Sequence, residues 1–392
     1  MCPAHSTPRS ARAMVFTEAG QPLQQRELPL PPVSQGQVLI RIRLTTLCGS
    51  DLHSHAGHRS TPAPIILGHE SIGTVCQLAD DPPRLDAAGQ PLAPGDRVTW
   101  CLVEHCGQCF FCQHGLPQKC TSLIKYGHRR LTDSDPLSGG LATHCRLGPR
   151  SSLFRLPDTV SDLVACPANC ATATAAAACR TAGPLSGLTV LVQGCGLLGL
   201  TTAAMARAAG AQTVIVTDTK AERLAMAEAF GASDTVCLMD AAHQLEPLVR
   251  DVSQGRGADV IFEMSGAPQA ISSGLKLLRI GGSYIWVGSV FPSDAVPISA
   301  EDIVRSMIRI EGVHNYRPQD LQQGLEFLEH YGTHFPFASL ISHTFPLEQS
   351  DEAFAFAARH SVFRVAIRPD GPPTMDATVS SLRSQPDSDS GR

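Results

Sequence analysis

The sequence predicts an α/β protein that contains a doubly wound parallel sheet and a second domain. A chain of 392 residues is too long for one ordinary hydrophobic core, so two domains are expected. A glycine-rich turn at 194–199 follows an apolar run and precedes a helical pattern. Strand-like and helix-like segments then alternate to about residue 313, which favours parallel β-α-β units.

Composition is typical of a globular protein and excludes several classes of function. Hydrophobic residues make up 43%, charged residues make up 17%, and the net charge of −5 is dispersed over both signs. The sequence lacks the basic stripe of a nucleic-acid binder and any apolar run of the ~18 residues that span a membrane. Fourteen cysteines without a secretion signal indicate a reducing, cytoplasmic location, where clustered cysteines bind metal or react rather than form disulfides.

Both ends of the chain are expected to lie outside the folded domains. Residues 1–13 are mostly polar and precede a more natural start at Met14, so we interpret them as an N-terminal extension. Residues 370–392 contain few bulky apolar side chains, which is typical of a disordered tail.

Metal-ligating and acidic side chains occur in three separated segments. They are Cys48, Ser50, Asp51 and His53 in "TTLCGSDLHSHAG", His69 and Glu70 in "PIILGHESIGTV", and Cys170 in "CPANCATATAAAACR". Cysteine and histidine from distant segments can form an open zinc site, in which three protein ligands leave a fourth position for substrate or water. Each residue alone is weak evidence, because a single buried cysteine or histidine is usually just packed.

Four cysteines form a tighter group in "CGQCFFCQHGLPQKC". Cys106, Cys109, Cys112 and Cys120 are separated by two, two and seven residues, and such gaps let one loop direct four sulfurs to a tetrahedral zinc ion. Four thiolates leave no open coordination position, so the site would be structural. The alternatives are an iron–sulfur cluster, four unrelated buried cysteines, and a nucleic-acid-binding zinc ribbon, against which the acidic net charge counts.

The glycine-rich turn predicts a dinucleotide site. An apolar strand at 189–192 leads into Gly194, Gly196 and Gly199, a G-x-G-x-x-G pattern at the start of a helix. Glycines permit a tight turn and let backbone N–H groups approach a pyrophosphate. Asp218 ends the next strand, and a carboxylate there binds a ribose 2′-hydroxyl and repels a 2′-phosphate, which favours NAD over NADP.

Further apolar segments complete a Rossmann-type domain. They lie near 234–238, 258–264, 282–288 and 307–313, with helical segments between the first three. With the two strands around the glycine turn they make about six strands, the size of a doubly wound domain.

From Met14 to about Pro369 the chain resembles the zinc-dependent medium-chain alcohol dehydrogenases. The strings "GHE" and "PGDRV", the four-cysteine segment, "GGLATHC" and the glycine turn occur in that family's order. The resemblance implies a Rossmann cofactor domain and a mainly β, GroES-like catalytic domain. It divides the chain into a catalytic part at 14–170 with a zinc lobe at 104–121, an NAD domain at 171–315 and a returning catalytic segment at 316–369.

The same resemblance implies an NAD-dependent enzyme with two zinc ions and a small-molecule alcohol as substrate, assembled as a homodimer or homotetramer. The lobe is implied to hold the structural zinc, and Cys48, His69 and Cys170 the catalytic zinc, with Glu70 beside it. Cofactor binding is assigned to Thr174, Gly194, Gly196, Leu197, Leu198, Gly199, Asp218, Arg223, Val287 and Gly288. Gly49 replaces a basic residue of some relatives, so another group must neutralise the pyrophosphate.

Ser50, His53 and Asp51 are the candidate catalytic residues of the proton path. Zinc lowers the pKa of an alcohol hydroxyl, Ser50 would take the released proton, and His53 would pass it to solvent because imidazole titrates near neutral pH. Asp51 would fix the tautomer of His69. The alternatives are a surface histidine for His53 and a turn residue for Asp51.

A basic segment after the lobe favours an anionic alcohol. Lys125, His128, Arg129 and Arg130 lie within six residues and would form a cationic rim, since arginine forks match carboxylate, phosphate and phosphonate oxygens. "IKYGH" and "PANCATATAAAACR" also resemble the phosphonate-catabolism-associated branch of the family, which implies a phosphonate-bearing alcohol. A solvated loop whose charges pair with neighbouring acids is the alternative.

Three other functions compete with this interpretation. A general alcohol or polyol dehydrogenase would share every metal and cofactor residue. A zinc-free quinone or enone reductase would share the fold, but Cys48 and His69 argue against it. A zinc-ribbon binding protein whose Rossmann domain senses redox state is the alternative from another class.

Overall fold

Four β-sheets organise the part of the chain that the computed structural model describes, residues 10–79 and 83–370. Residues 1–9 and the predicted tail from 371 onward lie outside it. The predicted extension at 1–13 is too long, because residues 10–13 already belong to the first strand, Ser10–Phe16 (β1). Ala11 and Ala13 are fully buried on that strand, so the hydrophobic core starts before Met14.

Antiparallel strands build the first half of the chain. They are β1, Gln24–Pro29 (β2), Val38–Thr46 (β3), Ile65–Ile66 (β4), Glu70–Leu78 (β5), Arg97–Trp100 (β6), Val103–Glu104 (β7), Ile124–Lys125 (β8), His144–Leu147 (β9) and Leu153–Arg155 (β10). Strand β3 shows why they form: Ile40, Ile42 and Leu44 are buried while Arg41 and Arg43 between them are exposed, the period-two pattern of a one-sided strand.

Three short helices accompany these strands. They are Gly49–His55 (α1), Phe110–Gln113 (α2) and Asp162–Ala165 (α3). Helix α1 directly follows β3, so it begins at the end of the most extensively paired strand of this sheet.

A six-stranded parallel sheet forms the middle of the chain, as predicted. Its strands are Thr189–Gln193 (β11), Thr213–Asp218 (β12), Asp234–Cys237 (β13), Ala258–Glu263 (β14), Leu278–Trp286 (β15) and Arg309–Gly312 (β16). The spatial order β13-β12-β11-β14-β15-β16 reverses direction at β11 and β14. Ligands bind at such switch points, beyond the carboxyl ends of the strands.

Helices lie beside this sheet. They are Ala171–Ala182 (α4), Leu197–Ala208 (α5), Ala221–Leu224 (α6), Leu238–Val252 (α7), Pro268–Leu277 (α8) and Ala300–Ser306 (α9). All residues of β11 are buried, which is the continuous burial expected of a central parallel strand. Helix α9 was not predicted.

The last part of the chain returns to the antiparallel sheet. Its elements are Pro318–Tyr331 (α10), Ile341–Pro346 (β17), Ser350–Arg359 (α11) and Arg364–Arg368 (β18). Strand β18 pairs antiparallel with β3, so residues near the C-terminus lie beside the start of α1. The predicted division into domains remains a prediction. Within the described ranges, no helix is both long and apolar enough to cross a membrane.

Candidate active site

The four clustered cysteines converge on one point. Their sulfurs all lie within 4.8 Å of one another, with Cys109 Sγ 3.5 Å from Cys112 Sγ and 3.9 Å from Cys120 Sγ. A tetrahedral zinc ion with Zn–S bonds of ~2.3 Å separates its sulfurs by about 3.8 Å. The donor set therefore fits zinc, and none of the described cysteines is in a disulfide.

Backbone N–H groups prepare these sulfurs for a metal. The N–H of Cys106 donates to Cys120 Sγ at 3.2 Å, and that of Cys109 to Cys106 Sγ at 3.3 Å. Hydrogen bonds from the backbone of Cys112 and Thr121 lower the pKa of Cys109 to about 5. The thiolate is the form that binds metal, so the loop favours the ligand state of Cys109.

A second donor set lies where three segments meet. Cys48, His69, Glu70 and Cys170 each place one ligand atom within 4.8 Å of the others. Cys48 is the N-cap of α1 and Cys170 the N-cap of α4, while His69 directly precedes β5. The structure thus brings together the four side chains that the sequence suggested, in the sulfur and imidazole chemistry that zinc prefers.

Asp51 orients this second set. It is 1% exposed, and its Oδ1 lies 3.3 Å from His69 Nδ1, which leaves His69 Nε2 free to face the metal position. The same carboxylate accepts the backbone N–H of Cys48 at 3.0 Å and of Gly68 at 3.1 Å. Asp51 therefore fits both predicted roles, that of an orienting residue and that of a cap.

Arg364 places a positive charge beside Glu70 and Cys48, and the sequence analysis did not predict this role. Its Nε and Nη2 donate to the Glu70 carboxylate at 2.7 Å and 2.8 Å, and Nη2 lies 3.6 Å from Cys48 Sγ. A hydrogen bond from Cys170, together with Arg364, outweighs burial and lowers the pKa of Cys48. The only sequence signal was an arginine within the apolar run "VFRVAI".

Asn169 and Tyr316 anchor the segment around Cys170 by hydrogen bonds, and no sequence pattern predicted this role for either residue. Asn169 Nδ2 donates to the carbonyls of His69 and Trp100, each at 3.0 Å. The Tyr316 hydroxyl donates to the Asn169 carbonyl and accepts the N–H of Leu102 at 2.9 Å. This network fixes two metal-site segments against each other.

The glycine-rich turn leads into α5 as predicted. Gly194 has φ 104°, and a Cβ on Gly199 would lie 1.8 Å from the Gly194 carbonyl oxygen, so only glycine fits both positions. Asp218 Oδ2 accepts the N–H of Cys195 at 2.7 Å. The carboxylate at the end of β12 therefore supports the turn itself, and still has lone pairs for a ribose.

A cleft of about 240 Å³ lies between this turn and α1. Gly49, Gly196, Leu197, Arg223 and Arg364 are among the residues that line it. Arg223 Nε is buried with no hydrogen-bond partner in the described part of the chain. Arg364 is already paired with Glu70, so Arg223 is the arginine of this cleft whose charge remains for an anionic pyrophosphate, and its buried Nε donor, which has no partner among the described residues, fits that group.

Of the other predicted cofactor residues, Leu197 lines this cleft, while Thr174, Leu198, Val287 and Gly288 are not among its lining residues. Thr174 is half-buried on α4, Leu197 and Leu198 form the first turn of α5, and Val287 and Gly288 directly follow β15. The Thr174 N–H donates to the Cys170 carbonyl at 3.0 Å, so this threonine lies one helical turn from the metal site.

Ser50 and His53 both lie on α1, three residues apart and half-buried. Residues at this spacing share one face of a helix. The His53 ring packs 4.4 Å from that of Phe291 and 5.7 Å from that of His58, centroid to centroid. Among the hydrogen bonds of the described residues, none joins Ser50 to His53, so a proton path between them needs a bridging group.

The predicted cationic rim separates into two parts. Arg129 pairs with Asp135, and Arg130 is exposed, so these two arginines follow the solvated-loop alternative. His128 instead lies beside the metal site, with its ring 5.0 Å from that of His69. Arg59, which the sequence did not single out, reaches His128 at 3.1 Å.

Comparison with known proteins gives consistent relatives along most of the chain. The alcohol dehydrogenase GroES-like domain family matches residues 34–158, and the zinc-binding dehydrogenase family matches residues 198–330. An alcohol dehydrogenase structure from Thermotoga maritima has a TM-score of 0.87 at 30% identity, covering 92% of this chain and all of that one. A 5-exo-hydroxycamphor dehydrogenase of Pseudomonas putida is 29% identical, covering 91% of this chain and 98% of the relative. A sorbitol dehydrogenase of Halalkalibacterium halodurans is 28% identical, covering 91% and 99%.

Proposed function

This chain belongs to the zinc-dependent medium-chain alcohol dehydrogenases, and from that membership we propose that it oxidises a small alcohol with NAD as the hydride acceptor. The observation that carries the proposal is the Cys48, His69, Glu70 and Cys170 set, whose ligand atoms lie within 4.8 Å of one another. Membership makes the chain an oxidoreductase and disfavours a redox-sensing zinc-ribbon protein.

The side chains around the metal position have distinct roles in this proposal. A zinc ion held by Cys48, His69 and Cys170 supplies a Lewis acid that acidifies the alcohol hydroxyl. Asp51 keeps the His69 proton on Nδ1. The Ser50 hydroxyl receives the proton of the alcohol while it gives its own proton to a bridging group. The His53 imidazole accepts a proton from that group and releases one to solvent.

Asp218, the glycine turn and Arg223 support NAD as the cofactor. The backbone N–H groups at the start of α5 would receive the pyrophosphate, and Arg223, which lines the cleft, would neutralise it. The Asp218 carboxylate is 8% exposed at the end of β12, where it accepts a ribose hydroxyl and repels the extra phosphate of NADP.

Within this reaction class we place an alcohol that carries an anionic group, such as a carboxylate, phosphate or phosphonate. The half-buried basic side chains next to His69 support this choice. A neutral polyol is the second candidate, because the sorbitol dehydrogenase relative covers nearly the whole chain.

The proposal is tested by zinc content and NAD reduction measured together. Wild-type protein should bind two zinc ions per chain and reduce NAD with part of a panel of simple, polyol and anionic alcohols. Cys48→Ser should lose one zinc and most activity, while Cys76→Ser, an exposed cysteine, should keep both. Full activity in zinc-depleted protein would overturn the proposal.

A further inference from the structure

Three arginine and lysine side chains near the metal site have no carboxylate partner in the described part of the chain. Arg59 follows α1, Lys119 lies in the lobe, and Lys125 is on β8. Within 10–79 and 83–370, no salt bridge involves any of them. Arg59 and Lys125 are half-buried, and unpaired charges are seldom removed from water without a counter-ion.

A neutral histidine connects Arg59 to the metal site. His128 Nδ1 donates to the Tyr126 carbonyl at 3.1 Å, so its Nε2 accepts from Arg59 Nη1 at 3.1 Å. The remaining Arg59 N–H groups have no acceptor in the described part of the chain, and the His128 ring lies 5.0 Å from that of His69.

The other two basic residues belong to the same group. Burial and then the charge of Arg59 lower the pKa of Lys125. Lys119 Nζ contacts His314 Nδ1 at 2.6 Å, and burial with the charges of Lys119, Lys125 and Arg59 lowers the pKa of His314 to about 4. Arg59, Lys119 and Lys125 therefore come from segments distant in sequence but together produce one region of positive electrostatic potential.

The metal site does not neutralise this field. Two thiolates, from Cys48 and Cys170, balance the two charges of a zinc ion, and Arg364 balances Glu70. Asp51 is the one remaining carboxylate whose charge acts on Lys125, and it is held by His69. The group defined by Arg59, Lys119 and Lys125 keeps a net positive charge.

We propose that Arg59 and Lys125, with Lys119 at the outer edge, bind an anionic group of the substrate alcohol. The arginine fork and lysine ammonium suit a carboxylate, phosphate or phosphonate. This inference rests on the proposed function, because it takes the alcohol carbon to be bound at the metal. Only a short carbon chain fits, since one imidazole separates Arg59 from His69.

The cofactor phosphates do not account for this group. The cleft beside the glycine turn has its own cation, Arg223, which is unpaired among the described residues, and neither Arg59 nor Lys125 lines it. The adenosine end of a dinucleotide lies still further from the metal, at Asp218 beyond the glycine turn.

Steady-state kinetics of the zinc-loaded enzyme test the substrate class. We expect kcat/KM for short hydroxyalkylphosphonates or hydroxycarboxylates to exceed that for neutral alcohols of equal length. Arg59→Gln and Lys125→Gln should each lower kcat/KM for the anionic substrate about ten- to hundred-fold and leave neutral alcohols and the KM for NAD unchanged. Arg130→Gln is the matched control, an exposed arginine in the neighbouring loop, and should change nothing.

Binding of methylphosphonate and acetate, measured by calorimetry without NAD, separates this inference from the proposed function. Binding that is lost in Arg59→Gln but kept in Arg130→Gln supports the anion site even if no alcohol is oxidised. Alcohol oxidation with no anion preference and no methylphosphonate binding overturns the anion site and leaves the proposed function standing. An altered KM for NAD in Arg59→Gln would assign these cations to the cofactor instead. Unchanged zinc content and melting temperature confirm that the variants fold.

Discussion

Single carboxylates at this site have two structural roles each. Asp51 orients His69 and also accepts the N–H of Cys48, and Asp218 accepts the N–H of Cys195. The sequence predicted both roles of Asp51, but for Asp218 it predicted only the contact with the ribose. The contact of Asp218 with the Cys195 N–H depends on turn geometry, so sequence spacing gives no sign of it.

Among single residues, replacement of Asp218 by asparagine (Asp218→Asn) should weaken the selectivity for NAD over NADP. The amide keeps the side-chain shape and one acceptor for the Cys195 N–H, but it removes the negative charge that repels a 2′-phosphate. We expect KM for NAD to rise about tenfold, the loss of a charge-assisted hydrogen bond, and kcat/KM for NADP to increase. Asp251→Asn, on the exposed face of α7, is the control. Equal use of both cofactors by wild type would contradict the prediction.

The Arg364–Glu70 pair should make a large contribution to stability. Glu70 is fully buried, so Arg364→Met leaves an unpaired buried charge and should lower the free energy of unfolding by about 3–5 kcal/mol. Denaturant unfolding of the zinc-loaded protein measures this loss. Arg305→Met, which breaks an exposed pair with Glu301, should cost less than about 1 kcal/mol. Equal losses in the two variants would refute the role of burial.

Among the secondary-structure elements, local patterns were predictable and long-range pairings were not. The six parallel strands follow from apolar runs of the right length, and the lobe follows from cysteine spacing. Arg364 reaches Glu70 only because β18 pairs with β3, and Arg59 reaches His128 across 69 residues. Arg129 and Arg130 looked equivalent to Lys125 in the sequence, and the fold of their loop directs them away from the metal site.

Loss of the zinc ion from the lobe should leave the catalytic zinc ion in place. Cys106→Ala breaks a closed set of four thiolates, so we expect zinc content to fall from two ions to one per chain, with a lower melting temperature. Cys179→Ala, a half-buried cysteine on α4, should keep both ions. Elemental analysis measures the zinc content per chain. Two zinc ions per chain in Cys106→Ala would show that the second ion is not bound by the four lobe cysteines.

Across the whole molecule, histidines with a lowered pKa should make stability depend on pH. Desolvation is the main cause of the lowered pKa at five of them, of which His144 is buried and His314 is exposed: His55, His105, His128, His144 and His314. Their unfolded pKa is about 6.5, so below that pH the unfolded chain binds more protons than the folded one. The free energy of unfolding should therefore decrease as pH falls from about 6.5 toward the folded pKa values, which for His314 is about 4.

His144→Gln tests this slope at one position. His144 is 6% exposed on β9, so its replacement should reduce the loss of stability on acidification, measured by denaturant unfolding at several pH values. His330→Gln, at an exposed position on α10, should leave the slope unchanged. An identical slope in His144→Gln and wild type would show that His144 does not contribute to the acid sensitivity.

The pairing of β18 with β3 also means that the residues of the two metal sites become available at different times during biosynthesis. The lobe cysteines lie within one short segment, so a nascent chain presents all four of them well before Arg364 is made. Glu70 gains its arginine partner only after 294 further residues have been made. Because domains acquire structure in the order of synthesis, we expect the lobe to be ready for its ion first. The catalytic centre becomes electrostatically complete only after residue 364 has emerged.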